Sequence, residues 1–313
     1  MKWGATTIMM IAALVGLPAT PGWAKVKTET VEYKHADTVL EGYLAYDDAF
    51  KGRRPGVLVL HEWWGLNDYA KLRARQLAAM GYVALAADLY GKGRRAETPA
   101  EAAKLAGRLR KDRKLMRGRA LAGLRELKDH KLTDSKKVAA IGYCFGGTAA
   151  LELARSGAKL QAVVSFHGGL DTPDPADARR IRAKVLVLHG ADDPHVSPEQ
   201  LAAFQKEMRA AKVDWQMNIY GGAVHAFTNP DAGDDPSTGA AYNERAARRS
   251  WEAMRLLFAE TIGLPARGGG GIGTFAKDKI GRPVGIAGKA TGKAAQRAAA
   301  WIWGKLRGKN ETH

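Results

Sequence analysis

The sequence has a single cysteine, Cys144, among its 313 residues. One thiol excludes an internal disulfide framework and any metal site built from several cysteine ligands. No apolar run approaches the roughly 18–20 residues that a membrane-spanning helix needs, which excludes a polytopic membrane protein. Apolar residues make up 46% and charged residues 26% of the chain, which are the proportions of a globular protein rather than a disordered one.

Acidic residues are scarce relative to basic ones. The chain has 32 Asp and Glu against 49 Lys and Arg, a net charge of +17. This balance favours anionic partners, and by itself it does not choose among nucleic acid, a membrane surface and small acidic substrates. The length fits roughly two domains, although α/β proteins often keep about 200–250 residues in one.

Residues 1–24 have the pattern of a secretory signal peptide. A positively charged start is followed by ten apolar residues, 8–17, which are too few for a membrane anchor but fit the apolar region of such a signal. We expect cleavage before Lys25 or, as the second choice, after Ala19, and hence a periplasmic or secreted protein. An uncleaved N-terminal helix is the alternative. Export would place Cys144 in an oxidising compartment without a partner, which favours a chemical task for its thiol.

From residue 25 to residue 264 the pattern predicts one α/β domain. Segments 27–34 and 38–46 alternate polar and apolar residues, which predicts an antiparallel N-terminal strand pair. The strand–helix alternation that follows predicts a mostly parallel central sheet with helices on both faces. The predicted strands cover 57–62, 82–90, 137–143, 160–167, 184–190 and 213–220; the predicted helices cover 68–80, 145–156, 198–211 and 240–262, with a basic helical region up to about residue 130.

Residues 265–313 differ in composition from the rest of the chain. They are rich in glycine, show no strand pattern and carry ten basic against two acidic residues, a net charge of +8. Lys289 hints at a phosphate-binding loop, but the glycine and the hydroxyl residue of that motif are missing. We expect a flexible, basic tail, in which the amphipathic stretch 293–307 either makes weak contact with an anionic membrane surface or is simply solvated.

One short motif, GYCFGG at 142–147, is placed where a buried strand becomes a helix. That setting is typical of a nucleophile elbow, here with cysteine in the position of the nucleophile. Gly142 and Gly146 leave room for the tight crossing of strand and helix, and the positive end of the helix dipole favours a thiolate at Cys144. A buried, inert cysteine beside packing glycines is the alternative.

An acid and a histidine follow the elbow in the order that this arrangement requires. Asp193 follows the strand at 184–190, and His225 follows the strand at 213–220. Such a carboxylate can orient an imidazole, and an imidazole there can act as the general base over the elbow. The neighbouring Asp192 is the alternative acid.

Five motifs together resemble the dienelactone hydrolase family of α/β-hydrolases. They are LHEWWGLND (60–68), ADLYG (87–91), GYCFGG (142–147), HGADDPHV (189–196) and YGGAVHAF (220–227). The resemblance covers about residues 27–262. It implies the α/β-hydrolase fold, a catalytic triad of Cys144, Asp193 and His225, and hydrolysis of an ester or lactone without a metal or organic cofactor.

The resemblance also assigns roles to the residues after the third strand. Glu62 is implied to help hold the resting thiol neutral and to take part in its activation. By its chemistry a carboxyl group beside a thiol can accept the thiol proton and disfavours a free thiolate, and a surface glutamate in a loop is the alternative. The backbone N–H groups of Trp63 and Phe145 are implied to form the oxyanion hole.

In one respect the sequence departs from the family. The well-known member of the family binds the carboxylate of its substrate with two arginines, and at the position that corresponds to one of them this chain has Asn229. The other is expected within 92–119, where eleven basic residues outnumber three acidic ones. This segment is either a basic flap over the site that binds an anionic substrate or a solvated helix face. The residues that we expect to contact substrate are Arg94, Arg95, Trp64 and Phe227, although the two adjacent tryptophans are also explained by packing alone.

Two functions of different classes follow. The first is a cysteine-nucleophile hydrolase of an ester, lactone or thioester, acting as a monomer on a small molecule that is either neutral or anionic, and binding no nucleic acid. The second is a protein with a hydrolase fold that binds surfaces through its basic tail and flap. An intact triad would be needless in a pure binding protein, which favours the first function.

Overall fold

The computed structural model describes residues 26–265. The predicted signal peptide, 1–24, lies outside the described residues, and so does the predicted tail apart from Pro265. The strands are β1 (Val26–His35), β2 (Thr38–Asp47), β3 (Arg54–Leu60), β4 (Val83–Ala87), β5 (Thr133–Tyr143), β6 (Ala162–Phe166), β7 (Lys184–Gly190) and β8 (Trp215–Tyr220). The helices are α1 (Asp68–Ala79), α2 (Pro99–Lys111), α3 (Arg113–Asp129), α4 (Phe145–Arg155), α5 (Pro198–Ala210) and α6 (Glu244–Thr261).

The strands form one eight-stranded sheet in the order β1-β2-β4-β3-β5-β6-β7-β8. β1 pairs with β2, and β2 with β4, in antiparallel fashion, whereas β4, β3, β5, β6, β7 and β8 run parallel to one another. This is the α/β-hydrolase architecture, so the predicted fold class and its antiparallel N-terminal pair are confirmed. The carboxyl ends of the parallel strands meet along one edge, where α/β sheets place their sites.

Helices cover both faces of the sheet because the parallel strands are apolar on both sides. Along β3, Leu58 and Leu60 pack into a core with residues of α2, α3, α4 and α5. Val57 and Val59 point the other way and pack with residues of α1 and α6. The two cores fix the sheet between its helical layers, and the strand ends are thereby held in place.

Several element ends differ from the sequence prediction, and two of them affect the site. β3 ends at Leu60 rather than at residue 62, so that His61 and Glu62 belong to the loop above the sheet. The last helix begins at Glu244 rather than at residue 240, because the Asn243 side chain accepts the backbone N–H of Ala246 and caps it there. The segment from His225 to Asn243 therefore precedes the last helix as a connection with two short 3-10 helices, Pro230–Ala232 and Pro236–Thr238.

Candidate active site

Cys144 occupies a left-handed turn between β5 and α4, with φ 54° and ψ −118°. Such a conformation is costly for a residue with a side chain and is typical of functional positions. The crossing of strand and helix is equally tight, because a Cβ atom on Gly142 would lie 1.9 Å from the carbonyl oxygen of Gly146, and one on Gly146 would lie 2.2 Å from that of Leu60. Glycine is required at both positions, as expected for a nucleophile elbow.

The backbone around Cys144 is held on both sides. Its N–H donates to the carbonyl oxygen of Phe166 at 3.0 Å and to Nδ1 of His167 at 3.1 Å. Its carbonyl oxygen accepts the N–H of Gly147 at 2.9 Å. The thiol is free and 9% exposed. Because Phe145 is the first residue of α4, its N–H has no partner within the helix and is available to an oxygen above the thiol.

His225 interacts with both Asp193 and Cys144. Its Nδ1–H donates to Oδ2 of Asp193 at 2.8 Å, and its ring is near enough to Cys144 for the two side chains to interact electrostatically. Burial lowers the pKa of His225, but the charge of Asp193, the hydrogen bond to it and the proximity of Cys144 outweigh burial and raise the pKa well above its usual range. An imidazole placed in this way can accept a proton from the thiol.

The two candidate acids occupy different positions. Asp193 is buried, and besides His225 it accepts the backbone N–H of His195 at 2.9 Å. Burial raises its pKa, but the charge of His225 and these hydrogen bonds lower it to about 2, so the group is a carboxylate. Asp192 is exposed and accepts the N–H of Gly222 at 3.1 Å. The contact with His225 therefore belongs to Asp193.

Glu62 is buried, with 3% of its surface exposed, and the surface-loop alternative is wrong. Its backbone is fixed by His61, whose Nδ1–H donates to the Glu62 carbonyl at 2.6 Å while its Nε2 accepts the N–H of Leu89. Burial raises the pKa of Glu62 to about 7, although the hydrogen bond from Asn229 and the charge of His225 lower it. A buried carboxyl group with a pKa near neutral pH and a histidine base nearby is a recurrent feature of catalytic sites.

The two tryptophans after Glu62 are half-buried and contact each other. Their rings meet edge to face with centroids 5.1 Å apart. The Trp63 carbonyl accepts the hydroxyl of Tyr90 at 2.9 Å, and the Trp64 carbonyl accepts the N–H of Ala96 at 3.0 Å. These bonds fix the backbone of Trp63, whose N–H was predicted as the second oxyanion donor.

The basic segment 92–119 divides into structural and exposed cations. Three of its arginines hold the fold: Arg113 pairs with Asp171, Arg117 pairs with Glu152 and Asp177, and Arg119 donates to the carbonyls of Leu89 and Tyr90. The predicted substrate residues Arg94 and Arg95 are exposed in the loop before α2.

Arg110 on α2 reaches the site instead. Its guanidinium carbon lies 5.9 Å from the ring centroid of Phe145, next to the elbow. Burial lowers the pKa of His195, and the charges of His225 and Arg110 lower it further, to about 4, so Arg110 also lies near His195. The His195 ring in turn lies 4.7 Å from that of His225. Arg110 is thus an exposed cation of this segment that lies beside residues of the site.

Phe227 is a correction to the sequence prediction. We expected it to contact substrate, but it is fully buried in the core of α1 and α6 and packs against the rings of His167 and Tyr220. Sequence reasoning missed the roles of His167, Thr228 and Asn229. The available signal was position alone, since His167 follows a buried parallel strand and the other two follow His225.

Within residues 26–265, no group of three or more His, Cys, Asp or Glu side chains is placed so that it could hold a metal ion. Over the same residues, no helix combines the length and the apolar character that a membrane span requires.

Comparisons with known proteins identify the family of this chain. The model of the dienelactone hydrolase family matches residues 40–262. A solved dienelactone hydrolase-like promiscuous phosphotriesterase from metagenomic libraries is 46% identical, with a TM-score of 0.73 over 76% of this chain and 99% of that one.

Two curated relatives match over almost their whole length. A candidate carboxymethylenebutenolidase of Aquifex aeolicus is 30% identical over 74% of this chain and 97% of its own. Protein usf of Aquifex pyrophilus is 30% identical over 75% of this chain and 99% of its own. The chain therefore belongs to the dienelactone hydrolase family and is a hydrolase of lactone or ester bonds.

Proposed function

We propose that the protein hydrolyses an ester, lactone or thioester with Cys144 as nucleophile, through an acyl-enzyme. The observation that carries the proposal is the chain of contacts from Asp193 to His225 at 2.8 Å and from His225 to a cysteine in a left-handed elbow. Nucleophile, base and orienting acid in contact are the arrangement that covalent catalysis of acyl transfer requires.

The reaction then runs in two halves. His225 takes the thiol proton, the sulfur attacks the carbonyl carbon, and the N–H groups of Trp63 and Phe145 hold the oxyanion that forms. Collapse breaks the ester bond, and His225 gives its proton to the departing oxygen, which in a lactone stays attached to the acyl group. Water next loses a proton to His225 and attacks the thioester, and the released sulfur recovers that proton.

Glu62 is the second acid–base group in the proposal. It lies near His225, and its pKa of about 7 allows it to exchange a proton within the physiological range. We assign to it the task of holding the resting thiol neutral, which would slow oxidation of Cys144 because oxidation follows thiolate character. This task fits an exported enzyme, and export through residues 1–24 and a monomeric state remain part of the proposal.

The test of the nucleophile compares three proteins on short p-nitrophenyl esters and a panel of lactones. We expect turnover by the wild type and its loss, by about 10³-fold or more, in Cys144→Ala and His225→Ala. A pre-steady-state burst of p-nitrophenol should accompany turnover if deacylation is the slower half. Equal turnover by wild type and Cys144→Ala would overturn the mechanism.

Arg110 favours a substrate that carries a negative charge. It is an exposed cation beside the oxyanion residue Phe145, where a guanidinium can bind a carboxylate with two hydrogen bonds. We expect Arg110→Gln to raise KM about tenfold for a hemiester with a free carboxylate and to leave KM of its neutral methyl ester unchanged. Lys104→Gln, an exposed cation on the same helix, is the control. The same rise for both esters would reject the anionic substrate.

Phosphotriester hydrolysis is a second candidate activity, favoured by the 46% identity with the dienelactone hydrolase-like phosphotriesterase. The same thiol would attack phosphorus, and the same backbone N–H groups would hold the phosphoryl oxygen. Paraoxon turnover that disappears in Cys144→Ala would support this activity, and turnover that persists in that variant would argue against it.

A further inference from the structure

His167 is a buried imidazole that the mechanism does not use, and both of its nitrogens are occupied. It follows β6, has a left-handed backbone with φ 41°, and is 0% exposed. Its Nδ1 accepts the backbone N–H of Cys144 at 3.1 Å, and its Nε2 lies 2.7 Å from Oγ1 of Thr228. The ring therefore stands between the nucleophile and the loop that carries His225.

The hydrogen bonds fix the tautomer of this ring. A backbone N–H can only donate, so Nδ1 of His167 carries no proton, and Nε2 carries the proton and donates it to the Thr228 hydroxyl. Burial lowers the pKa of His167 well below its usual range, and the positive charges of His225 and Arg73 lower it further. The imidazole stays neutral and keeps one donor and one acceptor in fixed directions.

Thr228 joins this ring to helix α1. Its hydroxyl shares a hydrogen bond of 2.7 Å with that of Tyr69, and its carbonyl oxygen accepts a guanidinium N–H of Arg73 at 2.8 Å. Arg73 also donates twice to the Tyr69 hydroxyl, each time at 3.2 Å. Thr228 is buried and comes only three residues after His225, so the loop that carries the base is held through it.

Backbone strain is concentrated along the same connection. Within residues 26–265, five residues other than glycine have a positive φ, and three of them are Cys144, His167 and Ala226. Strained residues persist only where their surroundings hold them, and they cluster where geometry matters for function. One of the three is the nucleophile, one follows the base, and the imidazole of the third links the two segments.

We propose that His167 is a positioning residue: through the Thr228 hydroxyl, its neutral imidazole sets the distance between the Cys144 sulfur and the His225 ring. The inference rests on the proposed function, because it assumes that this distance governs a proton transfer. It predicts that the hydrogen bond between His167 and Thr228 can be removed by substituting either residue, with the same effect on catalysis.

The first test cuts the link at Thr228. Thr228→Val keeps the shape of the side chain and removes its hydroxyl, and Thr228→Ser restores the hydroxyl. We expect Thr228→Val to lower kcat about tenfold or more with KM unchanged, since a small misplacement of a catalytic group lowers the rate steeply, and Thr228→Ser to recover most of it. Thr133→Val is the matched control, because Thr133 is buried far along β5 and its hydroxyl has no hydrogen-bond partner among the described residues.

A second readout needs no substrate. Cys144 is the only cysteine, so the rate of iodoacetamide alkylation against pH reports its thiolate alone. A looser contact with His225 stabilises the thiolate less, so we expect Thr228→Val to move the alkylation midpoint to higher pH. A fold defect alone would lower the melting temperature without moving this midpoint.

The third variant cuts the link at His167. Asparagine tolerates a left-handed backbone and can offer an oxygen near the position of Nδ1. His167→Asn therefore keeps an acceptor for the Cys144 N–H but loses the hydrogen bond to Thr228. Because both variants remove the same link, we expect His167→Asn, Thr228→Val and the double variant to shift the alkylation midpoint equally. Additive shifts, or a wild-type midpoint in Thr228→Val, would overturn the inference. Retained esterase activity in Cys144→Ala would instead reject the proposed function. The alkylation midpoints would then still test whether His167 and Thr228 position His225 against Cys144.

Discussion

The side-chain amide of Asn229 donates a hydrogen bond of 2.8 Å to Oε2 of Glu62, although 167 residues separate the two in sequence. The amide oxygen of Asn229 accepts the N–H of Asp231 at 3.0 Å, which fixes the orientation of the amide. Glu62 thus meets a neutral, immobile partner on the loop of His225. A neutral donor stabilises a carboxylate less than a cation would, which agrees with a Glu62 pKa of about 7.

A raised Glu62 pKa makes folding stability depend on pH. The pKa of Glu62 is about 7 in the folded protein, against 4.5 for an ordinary glutamate. Between these two pH values the folded state binds more protons than the unfolded state, so the free energy of unfolding falls as pH rises from 4.5 to 7. We expect Glu62→Gln to remove this slope, which amounts to about 3 kcal/mol of unfolding free energy between pH 4.5 and pH 7. Urea unfolding of both proteins at several pH values measures it.

The control for that prediction is Glu97→Gln, which alters an exposed glutamate in the loop before α2. Its unfolding free energy should follow the wild-type pH dependence. If the unfolding free energy of Glu62→Gln also follows the wild-type pH dependence, Glu62 has an ordinary pKa in the folded protein and binds no extra proton there.

The Asn229 amide should set the pH at which Glu62 titrates. Its hydrogen bond lowers the pKa of Glu62 by stabilising the carboxylate, so Asn229→Ala should raise that pKa. We expect the limb of the kcat/KM profile near pH 7 to move to higher pH, measured between pH 5 and pH 9. Asn218→Ala, on β8, should leave the limb in place. A midpoint that does not move in Asn229→Ala would show that another group produces the limb.

The order of elements and the elbow could be predicted from sequence because their signals are local. Apolar runs that end in polar residues mark buried parallel strands, and the glycines around Cys144 mark the tight turn that the structure contains. The acid and the histidine were predictable for a related reason. Parallel strands end at the same edge of the sheet, so residues that directly follow different strands come together there.

The remaining contacts depend on distances that no local pattern encodes. His167 acts through the tautomer that Cys144 and Thr228 impose on it, and these residues come from three separate segments. Arg110 was one of eleven cations in its segment, and only the packing of α2 places it over Phe145. Phe227 was expected at the substrate, but its ring turns into the core.

Replacing each of the two neighbouring aspartates, Asp192 and Asp193, by asparagine should show which of them orients His225. Asp193→Asn removes the carboxylate that holds the Nδ1 proton of His225, and an amide in that place favours the wrong tautomer. We expect kcat to fall on the order of 10³–10⁴-fold, measured on the best p-nitrophenyl ester. Asp192→Asn changes an exposed side chain that bonds Gly222 and should stay within about twofold of the wild type. Similar losses in the two variants would reject Asp193 as the orienting acid.

The elbow makes the sharpest prediction about stability. In Gly142→Ala the new methyl group would lie 1.9 Å from the carbonyl oxygen of Gly146, and neither backbone can move away, because the strand is buried in the sheet and the helix packs on it. We expect a loss of about 3 kcal/mol or more in unfolding free energy, or no folded protein.

Gly107→Ala is the matched substitution. Gly107 lies inside α2, and a methyl group there would have no atom within 4 Å, so the change should stabilise the protein by about 0.5–1 kcal/mol through the higher helix propensity of alanine. Thermal and urea unfolding of the two variants side by side compares a glycine that the site requires with one that it does not. A folded Gly142→Ala protein of wild-type stability would mean that β5 and α4 do not cross as closely as this, and the strained turn at Cys144 would lose its physical basis.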